Sequence, residues 1–218
     1  MKKGFMKLMR GGKPKHFHVT IFGSARIKDN DKYYKEIYKL AKMIGENGMD
    51  IVTGGGPGIM EAANKGHKDG ANGNGTHSIG LGVNLPHEQG FNDSVRIYKK
   101  HKRFSARLDH FMTLSNAVVI APGGVGTLLE LFYTWQLVQV KHLCNIPIIL
   151  LGDSYKGLVD WLKKEPLKRK FFNKEDLQLL YHAKNAKEAM KIIDEANAAF
   201  KRGGEDFCLN YKKYRLEI

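Results

Sequence analysis

Cysteine is almost missing from this sequence, with two residues, Cys144 and Cys208, in a chain of 218. They form no metal-type spacing, which excludes a thiolate zinc site; they leave one disulfide or, preferred, two reduced thiols. Long apolar runs are absent as well. None reaches the ~18–20 residues that cross a bilayer, so no membrane partner is expected. Met1–Lys15 is basic but lacks the apolar stretch of a signal peptide, and a cytoplasmic protein is expected. Acidic residues are outnumbered, 22 against 36 basic ones, for a formal charge of +14. That balance fits a solvated lysine-rich surface and also favours anionic partners. The densest internal run, Lys99-Lys100-His101-Lys102-Arg103, carries no base-reading motif. Nucleic acid is therefore not expected, and an anionic small molecule suits the run equally well.

Several motifs of catalysis are also missing. There is no G-x-x-x-x-G-K-[ST], which disfavours a P-loop NTPase. Neither Gly54–Gly58 nor Pro122–Gly126 opens a G-x-G-x-x-G, the usual dinucleotide fingerprint. The nine histidines make no H-E-x-x-H, and no metal site is expected. Asp153 and Ser154 follow a strand without a G-x-S-x-G elbow, so no hydrolase triad is supported.

What is present is an alternation of strands and helices. Strands are predicted at His16–Phe22, Met49–Thr53, Ser78–Val83, around Val95–Tyr98, at Ala117–Ala121 and at Pro147–Leu151. Asp29, Asn30 and Asp31 are N-cap candidates for a helix burying Ile37, Leu40, Ala41 and Ile44, with Gly48 as its stop. Further helices are predicted over Ile59–Lys68, Arg103–Ser115, Thr127–Val140, Tyr155–Lys164 and Lys184–Phe200, and Gly70–Gly75 reads as a turn. In Arg103–Ser115 the apolar face is Phe104, Leu108, Phe111 and Met112. The order implies an α/β, Rossmann-like doubly wound sheet, mostly parallel, with helices on both faces. One domain spans 16–200, after a flexible basic leader (1–15) and before a tail (201–218). No internal repeat or low-complexity block interrupts it.

Ligands of such sheets bind at the carboxyl ends of strands. Three glycine-bearing segments fall there: Gly23–Arg26, Gly54–Gly58 and Pro122–Gly126. A glycine loop opening a helix exposes backbone N–H groups beside a partial positive charge, which suits phosphate. Gly123, Gly124, Val125, Gly126 and Thr127 fit that description, Thr127 adding a hydroxyl donor. The competing reading is a tight turn with no ligand; the second loop, Gly54-Gly55-Gly56, at another strand end favours the ligand.

Glu130 interrupts the apolar run Leu128-Leu129-Glu130-Leu131-Phe132. Helical side chains lean toward the N-terminus, so its carboxylate points back at the loop. A buried charge is costly unless paired or functional; a structural salt bridge is the alternative. Arg107 flanks the Phe104/Phe111 face of the preceding helix. Its guanidinium either reaches into a cleft to hold phosphate or carboxylate, or is solvated, the commoner state of arginine.

Pro122-Gly123-Gly124-Val125-Gly126-Thr127-Leu128-Leu129-Glu130 resembles the P-G-G-x-G-T-x-x-E signature of the LOG family, the cytokinin riboside 5′-monophosphate phosphoribohydrolases and bacterial nucleotide nucleosidases. The likeness extends through Gly23–Arg26, Gly54–Ala63 and Leu85–Gln89, and covers roughly Val19–Ile193. It implies a Rossmann-like homodimer that hydrolyses the N-glycosidic bond of a nucleoside 5′-monophosphate to free base and ribose 5-phosphate. It implies Arg107 and Glu130 as catalytic residues, and Ser24, Gly55, Gly56 and Glu88 as substrate contacts beside the phosphate loop. Leu108 stands where plant-type members usually carry lysine. Many members bear the label lysine decarboxylase, but nothing here marks a Schiff-base lysine for pyridoxal phosphate, and no cofactor is expected. The alternative within this fold is a non-catalytic carrier of nucleotides or of the molybdenum cofactor.

Overall fold

The computed structural model describes residues 16–84 and 90–202. The leader expected at 1–15, all of the tail after Arg202, Cys208 and Glu88 lie outside these residues.

Seven strands form one parallel sheet: β1 (His18–Phe22), β2 (Asp50–Thr53), β3 (Ser78–Val83), β4 (Ile97–His101), β5 (Ala117–Ile120), β6 (Ile148–Leu151) and β7 (Leu180–Ala183). Their order is β4-β3-β2-β1-β5-β6-β7, with every neighbouring pair parallel. Helices α1 (Lys32–Glu46), α2 (Ile59–Ala71), α3 (Phe104–Leu114), α4 (Val125–Gln139), α5 (Lys156–Leu162), α6 (Lys174–Leu177) and α7 (Ala186–Lys201) connect and cover the strands. β1, β2, β3, β5 and β6 are buried at every position, as expected of a sheet covered on both faces. This is the doubly wound architecture that the strand–helix alternation predicts.

Local signals explain most boundaries. Asp31 caps α1, its side chain accepting from the Tyr33 N–H, and Ile37, Leu40, Ala41 and Ile44 are fully buried. Gly48 follows the helix in the left-handed conformation, φ +72°. Other boundaries move. β4 is displaced toward the C-terminus of its predicted place because Ile79–Val83 pair with Ile97–His101. The helix predicted over Ile59–Lys68 runs on to Ala71, through Gly70. A Cβ at Gly70 would lie 2.0 Å from the Lys42 carbonyl oxygen, and one at Gly66 2.2 Å from that of Tyr38. These glycines let α1 and α2 pack backbone to backbone, so the glycine expected to begin a turn is a packing residue. In α3, Leu108, Phe111 and Met112 are buried as expected, whereas Phe104 is 37% exposed. β7 has no counterpart in the sequence reading. Its four residues, Leu-Tyr-His-Ala, are too few for a period, and its place comes from pairing with β6.

Candidate active site

The strand order reverses between β1 and β5, and the loops after β1, β2 and β5 meet beside that reversal. Ser24 joins them. Its N–H donates to the Pro122 carbonyl at 3.0 Å, and its own carbonyl accepts from the Ile59 N–H at 3.0 Å. Its hydroxyl oxygen accepts from the Arg26 N–H at 3.1 Å. Ser24 thus acts through its backbone as a splice between the glycine segments. Gly58 adopts φ +68°, and a Cβ there would lie 2.5 Å from the Ser24 carbonyl oxygen.

The Gly54–Gly56 turn is held from beneath by polar side chains that sequence reasoning missed. Thr53 Oγ1 accepts from the Gly55 N–H at 3.0 Å and donates to Asn64 Oδ1 at 2.9 Å. Asn64, fully buried, donates to Ser78 Oγ at 2.7 Å. Asn92 Nδ2 reaches the carbonyls of Gly55 (3.0 Å) and Gly56 (2.9 Å). A buried network with its members satisfied rigidifies what it holds. The available signal was Asn64 itself, a polar residue next to Ala62 and Ala63 in a helix that buries all three.

Arg107 projects from α3 under this turn and its side chain is only 12% exposed. Nε donates to the Leu81 carbonyl at 2.7 Å, and the guanidinium stacks on Phe111 at 5.0 Å and Phe104 at 5.6 Å. A Cβ on Gly54 would sit 2.5 Å from Nη2, so glycine makes room for the guanidinium. Arg107 is therefore not the solvated charge of the competing reading. Leu108 next to it is buried in the core.

Glu130 lies 3.7 Å from Arg107 Nη1 through Oε1 and is itself buried. Burial pushes its carboxyl up to about 7, against the opposing pull of Arg107. Tyr155, another residue the sequence reading passed over, donates from its hydroxyl to the Ala121 carbonyl at 2.8 Å. Burial, and then the charge of Glu130, hold its phenol well above the ordinary range.

α4 begins at Val125, two residues earlier than predicted, because extended Gly124 serves as its N-cap. Val125 and Gly126 thus join Thr127 in its first turn and are not loop. Gly124 offers no side-chain cap, and Gly123–Gly126 are exposed. The leading N–H groups of a helix have no intrahelical acceptor, and with the dipole they present a partial positive charge. Thr127 is buried, its Oγ1 2.1 Å from where a Cβ on Gly123 would lie, so glycine at 123 makes room for this side chain.

A cleft of about 460 Å³ opens over β2 and β3, within the usual range for small-molecule sites. Gly54, Gly55, Gly56 and Arg107 line it, with Arg26, Lys28 and Lys100 adding positive charge and Phe91 an aromatic wall. Among the described residues that line it, neither Gly123–Thr127 nor Glu130 appears. Arg107 is the shared member, with Nη2 against Gly54 and Nη1 facing Glu130. A groove of similar size between α1 and α7, lined by Glu36, Lys39 and Met43, lies away from the strand ends.

The family model described as "Possible lysine decarboxylase" matches residues 60–193. A rice protein named "Probable cytokinin riboside 5'-monophosphate phosphoribohydrolase LOG4" is 27% identical over 196 residues, 87% of this chain and 81% of that protein. A pyrimidine/purine nucleotide 5′-monophosphate nucleosidase of Escherichia coli K12 is 31% identical over 142 residues, 62% of this chain. The matched part is 31% of that longer protein. Among solved structures, the molybdenum cofactor binding protein of Rippkaea orientalis superimposes with a TM-score of 0.63 at 20% identity, covering 84% of this chain and 98% of that one. The Moco carrier protein of Chlamydomonas reinhardtii gives 0.61 at 23% identity, covering 84% and 99%. At such identities the likeness establishes a common fold.

Proposed function

This chain belongs to the LOG family, the one described as "Possible lysine decarboxylase", and from that premise we propose that it hydrolyses the N-glycosidic bond of a nucleoside 5′-monophosphate of the AMP or cytokinin riboside monophosphate type, releasing free base and ribose 5-phosphate. One observation carries the reading: a buried carboxylate, Glu130, faces Arg107 one and a half turns behind the open N-terminus of α4.

In this reading the 5′-phosphate rests on the N–H groups of the Gly123–Thr127 turn, and the ribose lies toward Glu130. Cleavage of the C1′–N bond leaves the electron pair on the base and positive charge on the ribose. The Glu130 carboxylate stabilises that charge and accepts a proton from the water that adds to C1′, while the departing base takes a proton from solvent and Glu130 later returns its own. A carboxyl that ionises at about 7 is in part carboxylate near neutrality, the form this work requires, and a stronger proton acceptor than an ordinary glutamate. Arg107 binds the phosphate or favours departure of the base. Arg26, Lys28 and Lys100 give the cleft a charge suited to an anionic substrate. Glu88, outside the described residues, is proposed as a further substrate contact on the strength of the family resemblance. A homodimer is also proposed; Leu129 and Phe132, one turn apart on α4 and both exposed, support a contact along that helix, and light scattering of the purified chain tests it.

The test is a panel of nucleoside 5′-monophosphates and their nucleosides, with released base measured. Release from the monophosphates alone supports phosphate anchoring. Saturable binding with no base released from any of them would instead mark a carrier that holds such ligands without cleaving them.

A further inference from the structure

The opposite end of the sheet gathers a second set of chemically active side chains. β1 and β2 pair His18 with Asp50, and Ile51 pairs with Ser78 of β3, so His77 lies beside Asp50 at the strand starts. His16, two residues before His18, returns to the same carboxylate.

Asp50 is 1% exposed. His16 Nδ1 stands 3.1 Å from its Oδ1, and the His77 N–H donates to Oδ1 at 2.8 Å. On the other oxygen, His18 Nε2 is at 3.2 Å. His18 Nδ1 pairs with the Leu114 carbonyl at 3.1 Å, leaving Nε2 to face the carboxylate. One atom is left over. His77 Nδ1 is buried and makes no hydrogen bond, and the Asp50 Oδ2 it faces is 3.7 Å away, beyond hydrogen-bond reach. A buried ring nitrogen without a partner is rare enough to require a cause. The His16 and His77 rings lie nearly parallel, with centroids 6.1 Å apart. His16, His77 and Asp50 each offer a ligand atom, and the three atoms lie within 4.8 Å of one another. In a tetrahedral zinc site, bonds of ~2.0–2.1 Å place ligand atoms about 3.3 Å apart. The shortest approaches to Asp50, 3.1 Å from His16 Nδ1 to Oδ1 and 3.7 Å from His77 Nδ1 to Oδ2, run to different oxygens and fall on either side of that spacing.

We propose that His16 Nδ1, His77 Nδ1 and the Asp50 carboxylate form a binding site for a divalent transition-metal ion of the Zn²⁺ type, joining the starts of β1, β2 and β3. Two imidazoles and a carboxylate form a donor set that zinc accepts and that hard cations such as Mg²⁺ do not prefer. His18 is a positioning residue: its contact with Asp50, and its anchor on the Leu114 carbonyl, orient the carboxylate as outer partners of metal ligands do. The side chains of His16 and His77 are 24% and 35% exposed, so the ion has a path from solvent and a water completes its coordination. No sequence motif marks this site, because its ligands come from three chain segments. It is independent of the hydrolytic reading, lying at the other end of the strands.

The test uses the untagged full-length protein, stripped with a chelator and titrated with Zn²⁺ in a calorimeter at about pH 7.5, where neutral imidazoles are available. One equivalent should bind with micromolar or tighter affinity and raise the melting temperature. His16→Asn and His77→Asn should each weaken binding about tenfold or more while the metal-free melting temperature stays near wild type, both rings being partly exposed. His142→Asn, at an exposed histidine elsewhere, should leave binding unchanged. Co²⁺ in place of Zn²⁺ should give visible d–d bands that His77→Asn abolishes. Failure of Zn²⁺ to bind saturably, or one-equivalent binding that survives both variants, would overturn the proposal.

Discussion

Arg107 Nη1 stands 3.7 Å from Glu130 Oε1, near enough to attract the carboxylate and too far to donate a hydrogen bond to it. The gap follows from what else holds Arg107. Its Nε is tied to the Leu81 carbonyl at 2.7 Å and its face lies on Phe111 at 5.0 Å. Glu130 therefore receives attraction that only partly offsets its desolvation, and its carboxyl settles at about 7. A bidentate pair would fix Glu130 as an anion; with no cation beside it, burial would keep it protonated.

Glu130→Gln keeps the shape of the side chain and removes its ionisation. Turnover of a nucleoside monophosphate should fall about 10²-fold or more, the scale of a lost acid–base group, while nucleotide affinity survives. Paired measurement of kcat and of ligand binding checks this. Wild-type turnover in the variant would remove Glu130 from the chemistry.

The same substitution has a pH signature in stability. In the folded chain Glu130 ionises at about 7, against 4.5 for an ordinary glutamate. The folded state holds the proton more tightly, so this contribution is fully present below pH 4.5 and is lost as pH rises through 7. Glu130→Gln should be more stable than wild type at about pH 8 by on the order of 1–3 kcal/mol, with the gap closing toward about pH 5. Denaturant titrations at the two pH values decide it; equal gaps would contradict a raised carboxyl.

Arg107→Ala should lower kcat/KM about tenfold or more, the effect of one charge-assisted contact. Arg107→Lys should recover little of the loss, because an ammonium cannot hold the Leu81 carbonyl, lie flat on Phe111 and face Glu130 together. Rates equal to wild type in both variants would reject the assignment.

Gly54→Ala tests the seat of the guanidinium without touching its charge. The added Cβ would lie 2.5 Å from Arg107 Nη2 and 2.7 Å from Met60 Sδ, both at or near the mobile ends of side chains. The chain should fold with a melting temperature near wild type, yet lose activity as Arg107→Ala does. A drop in stability with unaltered specific activity would show that Gly54 serves packing alone.

Sequence and structure agree most where the signal is local. The cap at Asp31, the stop at Gly48 and the buried face Ile37–Leu40–Ala41–Ile44 depend on neighbours within a few residues. Glu130 was legible because a carboxylate in an apolar run has few affordable explanations. Glu88, a substrate contact that the family resemblance implies, lies outside the described residues.

By itself the sequence determined the alternation of strands and helices, the parallel sheet that follows from it, and the glycine turns at the strand ends, since these depend on short-range periodicity and backbone freedom. Tertiary structure alone decided β7, the packing role of Gly66 and Gly70, the polar support of Thr53, Asn64 and Asn92 under the Gly54–Gly56 turn, and the 3.7 Å between Arg107 and Glu130. Each joins segments far apart in the chain. Which carbonyl an asparagine reaches, or how near a guanidinium comes to a carboxylate, is settled by how the layers stack, and no spacing along one strand or helix contains that distance.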